Sequence, residues 1–183
     1  MVNEKKTTGQ GRNVALVAVV AALYAAITLM IAPFSFGPVQ LRLSEGLNHL
    51  AAWNKRYIVA LGLGVLLANL VSPLGWIDWV FGTLGTVIMT TITYFLTRNM
   101  KNALAKIITS TVVVATIGMA ILAGEFVFAF NIGASGAFSS GSHGGIFAQW
   151  LAYYISVVPG ELFSLIVGGV IIYILNKTID LSK

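Results

Sequence analysis

Hydrophobic residues run through this chain in long stretches broken by short polar tufts. The pattern is neither the strict alternation of a half-buried strand nor the single stripe of a surface helix. Six apolar segments can be placed on it. The first covers about residues 13–32, and a loop at 33–39 with a proline at either end leads to a shorter, more polar second segment at about 40–53. The third, about 57–71, ends at Ser72-Pro73-Leu74-Gly75. The fourth spans about 76–97 and the fifth about 103–130; a Gly/Ser-rich stretch at 131–145 precedes the sixth, about 146–175. This predicts an all-α integral membrane protein of six transmembrane helices. A tail at 1–12 precedes one membrane domain at 13–175, and a second tail follows at 176–183.

Composition strengthens that reading. The chain of 183 residues is 57% hydrophobic and only 9% charged, against about 25% charged in soluble domains. Its mean hydropathy is +0.88. The first run follows Lys5, Lys6 and Arg12 as a secretory signal would, but at nearly 20 residues it is too long for a typical signal core, and further spans follow. A net charge of +5 does not indicate nucleic acid, because the basic residues form no stripe interleaved with aromatics. They sit between the apolar runs. Lys5, Lys6 and Arg12 precede the first; Lys55 and Arg56 follow the second; Arg98, Lys101 and Lys106 follow the fourth; Lys177 and Lys183 follow the sixth. Six crossings put all of these on one side, so ten of the eleven obey a topology with both termini cytoplasmic, and only Arg42 dissents. Deleting the short second segment from the count would break that agreement. No cysteine is present, and two histidines give little basis for a metal site.

The second segment carries Arg42, Glu45, Asn48 and His49, which a lipid-facing helix would not hold, so neighbours must enclose it. Of six acidic residues, Glu4 and Asp180 lie in the tails, while Glu45, Asp78, Glu125 and Glu161 fall in the outer half of the expected bundle. An acid at the centre of a span costs roughly 2.5–3.5 kcal/mol, so it usually has a partner and a function. Plainer roles compete. Glu45 stands three residues after Arg42 and can pair with it along a helix; Asp78, beside Trp76 and Trp79, can cap its helix and face water. Asn48, Asn69 and Gln149 can serve as amide contacts between helices, and His49 as a hydrogen-bonded core residue. Taken together, Arg42, Glu45, Asn48, Asn69, Asp78, Trp79, Glu125, Gln149 and Glu161 predict an outward-facing solute pocket. Its acids would receive N–H donors or a cation, and Trp53, Trp76, Trp79, Trp150, Tyr153 or Phe126 would stack on a planar ring.

Two further features have two readings each. The stretch 131–145 can be a lid over the pocket, with His143 touching solute, or a plain exposed hairpin. Ala18, Ala22 and Ala26, with Ala21 and Ala25 alongside, make a smooth helix face that suits a partner helix or internal packing.

Rival functions find less support. Gly133-Ala134-Ser135-Gly136 matches the G-x-S-G of rhomboid intramembrane proteases, but no helix supplies Ser135 with a base. An autonomous secondary transporter or channel would need an ion gradient and lacks the internal repeat common in that class. No G-x-x-x-x-G-K-[ST] phosphate loop is present, so ATP would have to be hydrolysed elsewhere.

Two blocks carry a family resemblance. A-P-F-S-F-G-P-V-Q-L-R-L-S-E-G-L-N-H-L at 32–50 and L-G-L-G-V-L-L-A-N-L-V-S-P-L-G-W-I-D-W-V-F-G-T at 61–83 resemble QueT-type substrate-binding components of energy-coupling factor transporters. The resemblance implies a six-helix capture subunit that binds no cofactor itself. Its partners would be a transmembrane coupling protein and two ATP-binding subunits that consume the ATP. It further implies that Ala18, Ala22 and Ala26 form the A-x-x-x-A docking face. The loop of Pro33, Phe34, Phe36, Gly37 and Pro38 would gate the pocket, and the subunit would topple in the membrane to release solute. The implied solute is a queuosine precursor, a 7-deazaguanine; pyridoxine and hydroxymethylpyrimidine are the alternatives from related components.

Overall fold

The computed structural model describes residues 2–37, 40–132 and 145–182. The described chain is helical, with no strand among the described residues. Six helical segments stand where the apolar runs predict them, but they are not equal. Gln10–Met30, Asp78–Thr97, Ala103–Ala129 and Ile146–Thr178 are long and apolar enough to cross a membrane. The second and third are short. Leu43–Ala52 is ten residues of 3₁₀-helix, about 20 Å at 2.0 Å per residue. Arg56–Asn69 is 14 residues of α-helix, about 21 Å, against a hydrocarbon core of about 30 Å.

The first helix begins at Val2 and runs unbroken to Met30, so the helix extends into the stretch expected as a tail. Within the expected loop, Ala32–Ser35 winds one further helical turn with Pro33 near its start, where the missing N–H costs nothing. Phe34 is exposed, Phe36 and Gly37 are half-buried, and Pro38 lies outside the described residues. So do Ser135 and His143.

The short second segment is enclosed, as its polar content requires. Ser44, Asn48, His49, Ala51 and Ala52 are all fully buried. Its backbone crosses the sixth helix with no side chain between them. A Cβ added at Gly46 would stand 2.6 Å from the Gly168 Cα and 2.8 Å from the Ser164 carbonyl oxygen. Only glycine at both positions permits that approach. The first helix packs its Tyr24 in the same manner, with Gly64 of the third helix lying under the ring. The outward surfaces remain apolar: Met30 is 83% exposed and Phe147 72%. In water such surface would be a liability, and in lipid it is the solvated face.

One end of the bundle gathers the chain's links. Arg56 donates to the Asn13 side chain at 3.0 Å and reaches the Leu181 carbonyl at 3.5 Å, while Asn54 donates to the Ser182 carbonyl at 2.8 Å. Thr97 and Lys106 both donate to the Ala52 carbonyl, at 3.2 and 2.7 Å. The start of the first span, the links after the second and fourth, and the C-terminal residues therefore share one end.

Candidate solute site

At the opposite end, all six segments bring polar side chains inward. The second is preceded by non-helical backbone, with Gln40 in the left-handed region at φ 51° and Arg42 extended at φ −106°, ψ 91°. Arg42 therefore lies before the helix rather than opening it. The helical Arg42–Glu45 pair that the spacing allows does not form, because the extended residue aims the guanidinium elsewhere. It donates to the Ser35 carbonyl at 3.1 Å, lies over the Phe36 ring with its centre 5.2 Å away, and stands 3.9 Å from the Asp78 carboxylate.

Glu45 instead accepts hydrogen bonds from the Tyr24 hydroxyl and the Asn48 amide. Asp78 does not face water as a helix cap. It is 2% exposed and accepts from the Ser72 hydroxyl. Its placement follows from a π-helical turn at Asp78–Gly82. One extra residue in that turn shifts the register of the side chains around it. A second such turn, Val114–Gly118, interrupts the fifth helix. Phe81 and Gly82 from the first of these turns, and Gly118 from the other, line the same cavity.

That cavity is also lined by Arg42, Glu45, Thr86 and Glu125, with Met89, Met119 and Leu122 as apolar wall. Its volume is about 30 Å³, room for a water molecule but not for a ring. At this end of the bundle, buried polar atoms lack hydrogen-bond partners within the protein: Nη2 of Arg42 and Oε1 of Glu125 at the cavity, and Oδ1 of Asn48 and Asn69 and Oε1 of Glu161 outside its lining. All five residues are 6% exposed or less. An unpaired buried polar atom costs about 1–3 kcal/mol, so five such atoms left open at one end of the bundle mark it as the candidate site.

Of the residues singled out from the sequence, Arg42, Glu45, Asn48, Asn69, Asp78, Glu125 and Glu161 are all drawn into the interior at this end. Trp79 is not: it is 37% exposed, and its indole N–H is held by the Asn69 carbonyl at 2.7 Å. Gln149 is half-buried in the first turns of the sixth helix and is not among the residues lining the cavity. Among the aromatics, Trp53 belongs to the other end, where Lys106 lies over its ring, and Trp76 is 58% exposed. Trp150 stacks between Phe147 and Tyr154. Phe126 and Tyr153 meet edge to face. Phe81 is the ring that lines the cavity, and apolar periodicity alone gives no reason to prefer it. Tyr24 was also missed, since a tyrosine in a long apolar run carries no mark of its partner 21 residues on. His49 behaves as a core residue, with Nε2 2.9 Å from the Leu165 carbonyl.

The alanine face also resolves geometrically. Ala18, Ala22 and Ala26 are exposed on the outside of the bundle, while Ala21 and Ala25 are buried against it. Of the four long spans, this first one is the least enclosed.

No solved structure matches the chain. It is 28% identical over 179 residues to the "Queuosine precursor transporter QueT" of Lactococcus lactis subsp. cremoris (strain MG1363), an alignment covering 93% of this chain and 96% of the relative. The model of the QueT transporter family matches residues 14–177. With nearly its whole length covered by that model, the chain belongs to the QueT transporter family.

Proposed function

We propose that this transporter-family chain is the solute-capture subunit of an ATP-driven energy-coupling factor importer, and that its solute is a 7-deazaguanine queuosine precursor. The observation that carries the reading is the set of buried atoms without hydrogen-bond partners at this end of the bundle: Nη2 of Arg42 and Oε1 of Glu125 on the cavity wall, with further acceptors on Asn48, Asn69 and Glu161 outside its lining. A 7-deazaguanine presents a guanidine-like edge of N–H donors beside one carbonyl acceptor, which complements that set. Phe81 supplies a ring wall. The relative's name supports the same solute class. Transport rather than catalysis is the activity of the family.

In this reading all six segments cross, with the short second and third enclosed by the longer four. Both termini are cytoplasmic, because Lys55, Arg56, Arg98, Lys101 and Lys106 belong to the end that gathers the links. The acids then open to the outside. The cavity is far smaller than the 300 Å³ or more of usual ligand sites, so entry requires the 33–39 loop and its neighbours to part. Phe36, which lies against Arg42, would move first. Ala18, Ala22 and Ala26 offer the coupling protein a smooth face turned towards lipid. The ATP is bound and hydrolysed on two partner subunits.

Mass spectrometry of small molecules retained by the detergent-purified chain tests the solute directly. A 7-deazaguanine is expected; pyridoxine or a hydroxymethylpyrimidine would shift the assignment within the same transport class. Ala22→Trp should abolish uptake by cells while leaving solute binding intact. Proton-driven, ATP-independent uptake by the lone chain in liposomes would replace the importer reading with a secondary transporter.

A further inference from the structure

Tyr24 stands between two features that are otherwise separate. Its ring is 1% exposed and lies on Gly64, where an added Cβ would come within 2.7 Å of the Tyr24 Cβ and 3.0 Å of its Cγ. Its hydroxyl donates to Glu45, a residue lining the solute cavity. On the opposite face of the same helix, Ala22 and Ala26 point outwards. The Glu45 carboxylate is held from two sides, by Tyr24 on Oε1 and Asn48 on Oε2. Asn48 is part of the same segment as Glu45, so among the described residues Tyr24 alone ties that carboxylate to another element by a hydrogen bond. One turn further along, Thr28 bonds Ser44 at 2.6 Å, which joins the same two segments without touching a cavity-lining group.

We propose that Tyr24 is a positioning residue that couples the solute site to the outward face of the first helix. A solute N–H drawn to Glu45 competes with or reorients the Tyr24 hydroxyl. The ring cannot turn freely, because Gly64 and its backbone close one side. Its displacement is therefore passed to the helix that carries it. Occupancy of the cavity becomes a change in the position or rigidity of the surface presented by Ala22 and Ala26, and by reciprocity a partner on that surface alters affinity for solute. The direction of this coupling rests on the solute reading given above; the Tyr24–Glu45 link itself does not.

Tyr24→Phe removes the hydroxyl and keeps the ring. Amide hydrogen exchange of the first helix, measured on the full chain in nanodiscs with and without 7-aminomethyl-7-deazaguanine, is the main readout. Wild type is expected to change its exchange over residues 18–28 on adding that probe. Tyr24→Phe should bind it three- to tenfold more weakly and, at saturating probe, show no change there. Thr28→Val should respond like wild type, although it too loses a bond between the same segments. A wild-type response in Tyr24→Phe overturns the coupling. A loss of response in both variants reduces Tyr24 to ordinary packing and overturns it as well. If wild type does not bind the probe, the solute assignment fails, and a double-mutant cycle of Tyr24→Phe with Glu45→Gln on ligand-free thermal unfolding decides the link alone. Non-additive shifts support it, and additive shifts overturn it.

Discussion

The two ends of the bundle use charge in opposite ways. At the end that gathers the links, Lys55, Arg98, Lys101 and Lys177 are exposed. Arg98 and Lys177 lie over the Phe95 and Tyr173 rings, and the half-buried Arg56 and Lys106 reach backbone carbonyls and aromatic rings. At the other end, one arginine and four carboxyl groups are each 6% exposed or less. There the single ion pair among the described residues, Arg42 with Asp78, is 3.9 Å long, and polar atoms remain unpaired. Water and lipid headgroups satisfy a charge at a membrane surface, so the basic end needs no organised partners. The acid end has neither, and burying ionisable groups there is costly, which is what marks it as a candidate site. The difference shows where to look for solute even though the cavity is small.

The contrast can be broken most severely at the crossing that holds the second segment between the two ends. Gly168→Leu would drive a side chain into Gly46, and should leave no folded protein, a loss of more than about 4 kcal/mol. Size-exclusion chromatography in detergent reads this as the disappearance of the monodisperse peak. Next in size is Asp78→Asn, which leaves Arg42 buried without its ion pair and should destabilise by about 3–5 kcal/mol. The thermal unfolding midpoint should fall by many degrees, and a midpoint near wild type would mean that the guanidinium has another counterion. Glu125→Gln or Glu161→Gln keeps shape and removes charge. Each should weaken solute binding at least tenfold, about 1.4 kcal/mol, in titration calorimetry; unchanged affinity would take that residue out of the site. Smallest is the basic end. Lys106→Met loses one hydrogen bond and a contact with Trp53, a change of about 1 kcal/mol in stability, with solute affinity within twofold of wild type. Lys101→Gln should alter neither quantity. A large binding defect from either lysine would erase the distinction between the ends. Labelling single introduced cysteines at Lys55 and at the exposed Trp76 sharpens it further, since the two should react from opposite sides of the bilayer.

Much of the fold was legible because the signals are long. Runs of about 20 apolar residues mark the first, fourth, fifth and sixth helices, and the basic tufts between runs gather at one end of the bundle. The polar content of the second segment correctly predicts its enclosure. Its 3₁₀ winding was not legible, because the spacing of its apolar residues does not distinguish one tight helix from another. Nor were the π turns at Asp78 and Val114, which depend on how each helix packs. The site was legible as a set of residue types: buried acids in apolar runs are costly wherever they fall. Their pairing was not. The three-residue spacing of Arg42 and Glu45 suggests a local ion pair, yet the extended backbone at Arg42 sends the guanidinium to a residue 36 positions away.

The sequence by itself determined that lipid is the solvent, where the helices lie, which charges share an end and which few carboxyls must be enclosed. These properties follow from composition and order along one chain, because transfer into hydrocarbon is nearly a sum over residues. The tertiary structure alone decided that Asp78 rather than Glu45 faces Arg42, that Tyr24 holds Glu45, that Ala18, Ala22 and Ala26 turn outwards while Ala21 and Ala25 turn in, and that Trp53 lies far from the acids. Each of these depends on distances between segments remote in sequence, and on the exclusion of water that leaves every polar atom to find its partner across helices.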